Sequence, residues 1–303
     1  MWHAIGPRDP EAAMEPEVSD VLAREPSFTA MWHAWMRNAH ATRHGSPIYV
    51  DTRSVQLVSQ ATVQDVEALM GGFTKETADA LILMAIIRYR VLADRLLDAS
   101  ERGIRQFVIL GAGLDTTVFS LPDFAGSWPV FEVDHPATQE WKRRELANLG
   151  WEMPTNLIFA PCDFETQDLF SALVAVGFDR AIPTLVSLFG VILYLTADST
   201  KALLRDLASL APGSEVVMTY SPPPDGIDPV VQQVWDKSSP KVDETGESFI
   251  GHYAPTHIQR LVTEAGFSEV IHYSVEDLNA EYFQDRPDGL QVHGIEQLVI
   301  ALR

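Results

Sequence analysis

From Gln106 onward the chain repeats one rhythm, and that rhythm restricts the fold more than any other feature. Short β-branched runs, "QFVILG", "PVFEVD", "NLIFA", "TLVSLF" and "EVVMTY", alternate with helical stretches such as Thr138 to Leu149 and Ser199 to Leu210. Apolar runs this short read as strands buried on both faces, and strands joined through helices pair in parallel. The expectation is a mostly parallel, doubly wound α/β sheet. Two last runs, "EVIHYSV" and "EQLVIAL", are joined by a stretch from Glu276 to Glu296 with little helical pattern. That connection suits a final antiparallel strand.

Two regions stand outside the rhythm. From Ser27 to Gly103 the apolar residues of "SFTAMWHAWMRNAHATRH" and "ETADALILMAIIRYRVLADRLLDAS" recur at helical spacing, and Gly103 is a C-terminal stop. Residues 1–103 therefore form a helical N-terminal cap and residues 104–303 the sheet domain. The second region, Ser221 to Tyr253, follows the fifth run and is rich in proline, glycine and acid. A connection of that length inside a compact domain acts as a lid, here an insertion over about 221–253.

Charge narrows the partners. Lys and Arg number 22 against 42 Asp and Glu, a net charge of −20. Such a field repels phosphate polyanions, so nucleic acid and anionic membrane are excluded as partners. Cys162 is the only cysteine, which rules out an internal disulfide and fits a reducing cytoplasm. The N-terminus has neither a basic start nor an apolar h-region, so it does not read as a signal peptide. The apolar run "LILMAII" is too short to span a bilayer. A cytoplasmic protein with a small-molecule substrate is expected, with self-association left open.

In open α/β sheets ligands sit at the carboxyl ends of the strands, beside the first one. There "FVILGAGLDTTVFSLP" breaks on Gly111 and Gly113. The sixth position of a dinucleotide fingerprint is Thr116 rather than glycine, and no Walker pattern follows. The pair alone serves equally as a tight strand-to-helix turn. The next two tips sharpen the reading. Asp134 ends the second strand, where a carboxylate can accept from both hydroxyls of a ribose. Asp163 follows the third and can accept from an adenine amine, with Phe164 covering the ring. Together these suit an adenosine without a pyrophosphate. Arg88 shares a helix face with Leu81, Met84, Ala85 and Leu92, so it needs an anion. That anion is either a protein carboxylate or the carboxylate of an amino-acid-like ligand. Adenosine joined to an amino acid, without phosphate, is S-adenosylmethionine (SAM).

These stretches resemble a known family. "GIRQFVILGAGLDTTVFSL", "FEVDHPATQEWKRREL" and "LFGVILYLT" are similar to the leucine carboxyl methyltransferase family, which includes polyketide O-methyltransferases. "FTAMWHAWMRNAH" and "IIRYRVLADRLL" match its helical cap, and "APTHIQRLVTEAGF" a late helix of class I methyltransferases. The resemblance implies a Rossmann-like seven-stranded sheet and SAM contacts from Arg88, Gly111, Gly113, Asp134, Asp163 and Phe164. Tyr194 matches a tyrosine that faces substrate in some relatives. Two positions depart. Thr117 replaces a common arginine, and Phe189 replaces an acid before Gly190 that would meet the amine of SAM. Phe189 therefore stands at the amino end of the cofactor, whose amine needs another acceptor.

The expected activity is a SAM-dependent O-methyltransferase acting on a small, largely apolar carboxylic acid or phenol, plausible for polyketide-type secondary metabolism. The alternative is a SAM-binding protein that no longer methylates; a nicotinamide oxidoreductase is disfavoured by Thr116 and Arg88. Methyl transfer is an in-line displacement in which the protein chiefly aligns the reactants. A phenol profits from a base, and His252 at the far hinge of the lid is the candidate, a packing histidine being the plain alternative. His33 and His40 read as cap-core and surface positions. No His, Asp or Glu cluster has metal-ligand spacing, so no metal is expected.

Overall fold

The computed structural model describes residues 27–164, 166–223, 228–244 and 247–303. The N-terminal stretch read as no signal peptide, and the first residues of the cap, lie outside the described residues.

Helix α1 (Phe28–Arg43) opens on Ser27, whose hydroxyl accepts the Ala30 N–H. Helix α2 (Gln60–Gly71) follows, and α3 (Lys75–Glu101) is capped by Thr74. Leu81, Ala85 and Ile86 of α3 pack against Trp32, Trp35 and Met36 of α1. The later α3 residues Ile87, Val91 and Leu92 pack instead with Phe107 and Ile109 of the first strand. One helix thus belongs to both cores, which seats the cap on the sheet.

The strands are β1 (Phe107–Leu110), β2 (Val130–Asp134), β3 (Leu157–Pro161), β4 (Leu185–Leu188), β5 (Glu215–Tyr220), β6 (Glu269–Tyr273) and β7 (Gln297–Leu302). They form one seven-stranded sheet in the order β3-β2-β1-β4-β5-β7-β6. The first five are parallel, and β7 runs antiparallel between β5 and β6. Between them lie α4 (Pro136–Asn148), α5 (Leu169–Ala175), α6 (Ala197–Leu207), α7 (Pro229–Glu244), α8 (Pro255–Ala265) and α9 (Val275–Tyr282). The expected Rossmann-like α/β architecture is present.

The stretch after β6 differs from its sequence reading. It holds α9, opened by a capping box in which Ser274 accepts from Asp277 N–H and the Asp277 side chain accepts from Ser274 N–H. Eight residues are too few for periodicity to register, so the cap was the only local signal. The insertion is α7 and its return: Val231, Val234 and Trp235 pack into the cap core. The Ile250 and Gly251 N–H groups donate to the Leu193 carbonyl (2.9 and 2.8 Å). Among the described residues, no helix is long and apolar enough to cross a membrane.

Candidate active site

The strand tips, α1, α3 and α7 enclose a cavity of about 420 Å³. Its floor is the end of β1. Gly111 has φ +65, and a Cβ there would collide with the Val191 side chain, so only glycine lets the chain turn under that residue. Gly113 has φ +47, and its N–H donates to Asp134 Oδ2 (2.5 Å), while His135 N–H donates to Oδ1 (2.7 Å). Burial pushes the Asp134 carboxyl up and these two backbone donors pull it down. Asp134 thus ties two strand tips together and keeps lone pairs for a ligand. Phe164, His135 and Thr138 complete this end. Asp163 is not on the wall; its carboxylate accepts from the Thr166 hydroxyl (2.7 Å).

Beneath this end lies a buried ion pair. Lys142 Nζ donates to Glu132 Oε2 and to the Asp115 carbonyl, both at 2.6 Å. Burial pushes the Glu132 carboxyl up to about 7 despite Lys142. Glu132 faces this lysine, which braces the loop after β1.

Arg88 is buried on the cavity wall. Its guanidinium donates to Glu296 Oε2 (3.0 Å) and to His33 Nδ1 (2.8 Å), and its Nε has no partner. The protein carboxylate left open by the sequence is therefore Glu296, the residue before β7. Burial raises the Glu296 carboxyl; Arg88 and the Thr219 hydroxyl hold it down. Phe189 lines the cavity with its ring edge-on to Tyr89 (5.7 Å), and the Arg88 guanidinium lies 5.6 Å from the Phe189 centroid. His33 is neither core nor surface, as its sequence reading had it. It lines the cavity, and burial followed by the Arg88 and Arg37 charges holds its imidazole well below the usual value. Guanidinium cannot accept, so His33 Nδ1 is the acceptor and Nε2 carries the proton.

Arg37 is a second buried cation that sequence reasoning missed. It donates to Asp51 Oδ2 (2.8 Å), Tyr89 Oη (3.1 Å) and the Leu114 carbonyl (2.7 Å), and Thr116 Oγ1 donates to the same Asp51 oxygen (2.9 Å). The cap thereby delivers a cation to the loop in which Thr117 stands for a common arginine. The signal that singled out Arg88, a cation on an apolar helix face, was absent here, since the helix neighbours of Arg37 are His33, Ala34, His40 and Ala41.

The far end is walled by Trp32, Leu81, Val234, Trp235 and Phe249. Tyr194 points there: its hydroxyl donates to Thr29 Oγ1 (2.9 Å), which donates to Glu247 Oε2 (2.9 Å). Burial raises both the Tyr194 phenol and the Glu247 carboxyl. His252 is not brought to the wall; its ring packs edge-on against Trp235, centroids 5.1 Å apart, and its Nδ1 has no partner. Among the described residues, no group of three or more His, Cys, Asp or Glu could hold a metal.

The family model "Leucine carboxyl methyltransferase" matches residues 30–208. The chain belongs to the leucine carboxyl methyltransferase family. A Bacillus subtilis relative of this family member, named "Putative S-adenosyl-L-methionine-dependent methyltransferase YktD", is 30% identical over 292 residues, spanning 88% of this chain and 94% of that protein. A similarly named Mycolicibacterium smegmatis protein is 34% identical over 206 residues, 66% of this chain and 68% of its own. The crystal structure titled as a putative methyltransferase from Thermobifida fusca YX superposes with TM-score 0.60 at 21% identity, covering 96% of this chain and 99% of that one. That likeness shows the methyltransferase fold.

Proposed function

We propose that this member of the family is an O-methyltransferase whose acceptor is a small, largely apolar carboxylic acid or phenol, held between cap and lid. The chain is a SAM-dependent methyltransferase by its family, and SAM supplies an electrophilic methyl group when bound. The residues present fit that cofactor. The glycine turn at Gly111 brings backbone close to a ligand, Asp134 has lone pairs for a ribose, and Phe164 offers a face to the base. Arg88 brings a guanidinium to the cavity wall as the partner for a carboxylate.

The observation that carries the reading is the Arg88–Glu296 pair. An amino acid brings one charge of each sign, and this pair presents one of each, 3.0 Å apart in a buried wall. Glu296 supplies the acceptor for the amine that Phe189 cannot. Asp163, next to Phe164 in the chain, is kept as the acceptor for the adenine amine, although its carboxylate here accepts from the Thr166 hydroxyl.

The cap, taken as residues 1–103, and the lid, about 221–253, are read as the two walls of the acceptor end. Tyr194 presents its hydroxyl to the polar end of the acceptor. His252, the other base candidate, packs against Trp235 off the cavity wall. Calorimetry with SAM, followed by transfer of labelled methyl to an extract of small acids and phenols, tests the reading. Tight binding without transfer to any acceptor would favour a non-methylating SAM protein. Absence of SAM binding would overturn both.

A further inference from the structure

The acceptor end of the cavity has a charge pattern that chooses between the two substrate classes. Arg37 and Arg88 are the only arginines or lysines on its wall among the described residues, and both are paired, with Asp51 and Glu296. Around Tyr194 the wall is apolar, with Trp235 and Phe249 in ring contact (5.4 Å). Glu247 is the charged group bonded into this end, and the paired Arg88 and Glu296 are the other charges that act on Tyr194. A substrate carboxylate at this end would meet the Glu247 carboxylate, and both arginines on the wall are already paired with acids, so like charges would be brought together.

The hydrogen bonds also have a direction. Ionised Glu247 can only accept, so Thr29 Oγ1 donates to it (2.9 Å), and Tyr194 Oη donates to Thr29 (2.9 Å). Ser27 Oγ lies 3.0 Å from Thr29 Oγ1 as the remaining neighbour of the chain. With its proton directed at Thr29, the Tyr194 oxygen keeps its lone pairs for a donor in the cavity.

We propose that Tyr194, Thr29 and Glu247 form a proton relay that takes the proton of a neutral hydroxyl acceptor, so that the substrate is a phenol or alcohol rather than a carboxylic acid. This rests on the methyltransferase reading above. The substrate O–H bond breaks as its proton passes to Tyr194 Oη. Tyr194 gives its own proton to Thr29 Oγ1, and Thr29 gives its proton to Glu247 Oε2. Each hydroxyl gains one proton and loses one, and the carboxylate ends protonated. The substrate oxygen forms its bond to the methyl carbon while the carbon–sulfur bond breaks and its electron pair stays on sulfur. Tyr194 is the catalytic residue of this set; Thr29 and Glu247 act through it.

Binding and turnover test it separately. 4-Ethylphenol, neutral at pH 7, and 4-ethylbenzoate are titrated into the full chain by calorimetry, with and without S-adenosylhomocysteine. The wild type binds the phenol at least about tenfold tighter than the benzoate, a difference of about 1.4 kcal/mol. Glu247→Gln narrows that gap from the benzoate side and leaves S-adenosylhomocysteine affinity unchanged. With labelled SAM, Glu247→Gln and Thr29→Val each lower kcat for 4-ethylphenol at least about tenfold with a smaller change in KM. In the wild type kcat falls as acid protonates Glu247, and Glu247→Gln removes that limb. The other ionisable groups near Tyr194 across the cavity, Glu296 and Arg88, are intact in both variants and leave the limb's loss to Glu247. Equal or tighter binding of the benzoate, binding of neither probe, or full phenol turnover in Glu247→Gln overturns the proposal. Failure of S-adenosylhomocysteine to bind overturns the methyltransferase reading instead, and the relay is still scored from probe selectivity.

Discussion

The two ends of the cavity are built on opposite plans. The cofactor end is made of consecutive strand tips, with backbone groups and charges clamping one another: Gly113 to Asp134, Lys142 to Glu132 and to the Asp115 carbonyl. The acceptor end is made of side chains from helices and a lid far apart in the chain, and its walls are mostly apolar. The first plan fixes geometry by short chain paths. The second adapts by exchanging side chains on α1 and α7 while the sheet stays untouched.

The largest expected effect tests the rigidity of the cofactor end. Lys142→Met strands Glu132 in the interior and should cost roughly 3–5 kcal/mol of stability in chemical denaturation. The double variant Glu132→Gln, Lys142→Met should recover most of it. Without Lys142 the Glu132 carboxyl titrates higher still in the folded state than in the unfolded chain. The folded state then binds the extra proton, so the variant regains stability as pH falls and loses it as pH rises through the folded value. A loss independent of pH would show that Lys142 matters only as packing.

Ligand affinity separates the ends next. Arg88→Ala, Asp134→Ala and Glu296→Gln should each weaken SAM binding by about 1.5–3 kcal/mol, the range for hydrogen bonds to charged groups. Calorimetry that finds wild-type affinity in any of them removes that residue from the cofactor end. Trp235→Ala should do the reverse, raising the KM of the acceptor several-fold and leaving SAM affinity near wild type. Loss of SAM affinity in Trp235→Ala would mean that the lid serves the cofactor and would collapse the distinction.

The smallest effect is the most specific. Phe189→Glu in the wild type should change SAM affinity little, because Glu296 already serves the amine. In the Glu296→Gln background it should restore about 1 kcal/mol, the net worth of a hydrogen bond. Failure to restore would indicate that the phenyl ring beside Arg88 and Tyr89 shapes a pocket that no charge can enter.

By itself the sequence determined the sheet, the strand-tip residues Gly111, Gly113, Asp134 and Phe164, and the need of Arg88 for an anion. The reason is local: a turn forced by glycine or a burial pattern at fixed period depends on neighbours a few residues away. Even the α9 cap was legible in principle, in a Ser-to-Asp spacing. Only the tertiary structure decided what answers those needs. Glu296 lies 208 residues from Arg88 and Glu247 lies 218 from Thr29, and no spacing rule reaches that far. Side-chain direction is equally beyond a spacing rule: His252 read as a lid-hinge base yet packs against Trp235 of the same insertion, and His33 read as core yet faces the cavity. A side chain's direction off a helix or a lid is set by whatever packs against it, and periodicity along the chain does not name that partner.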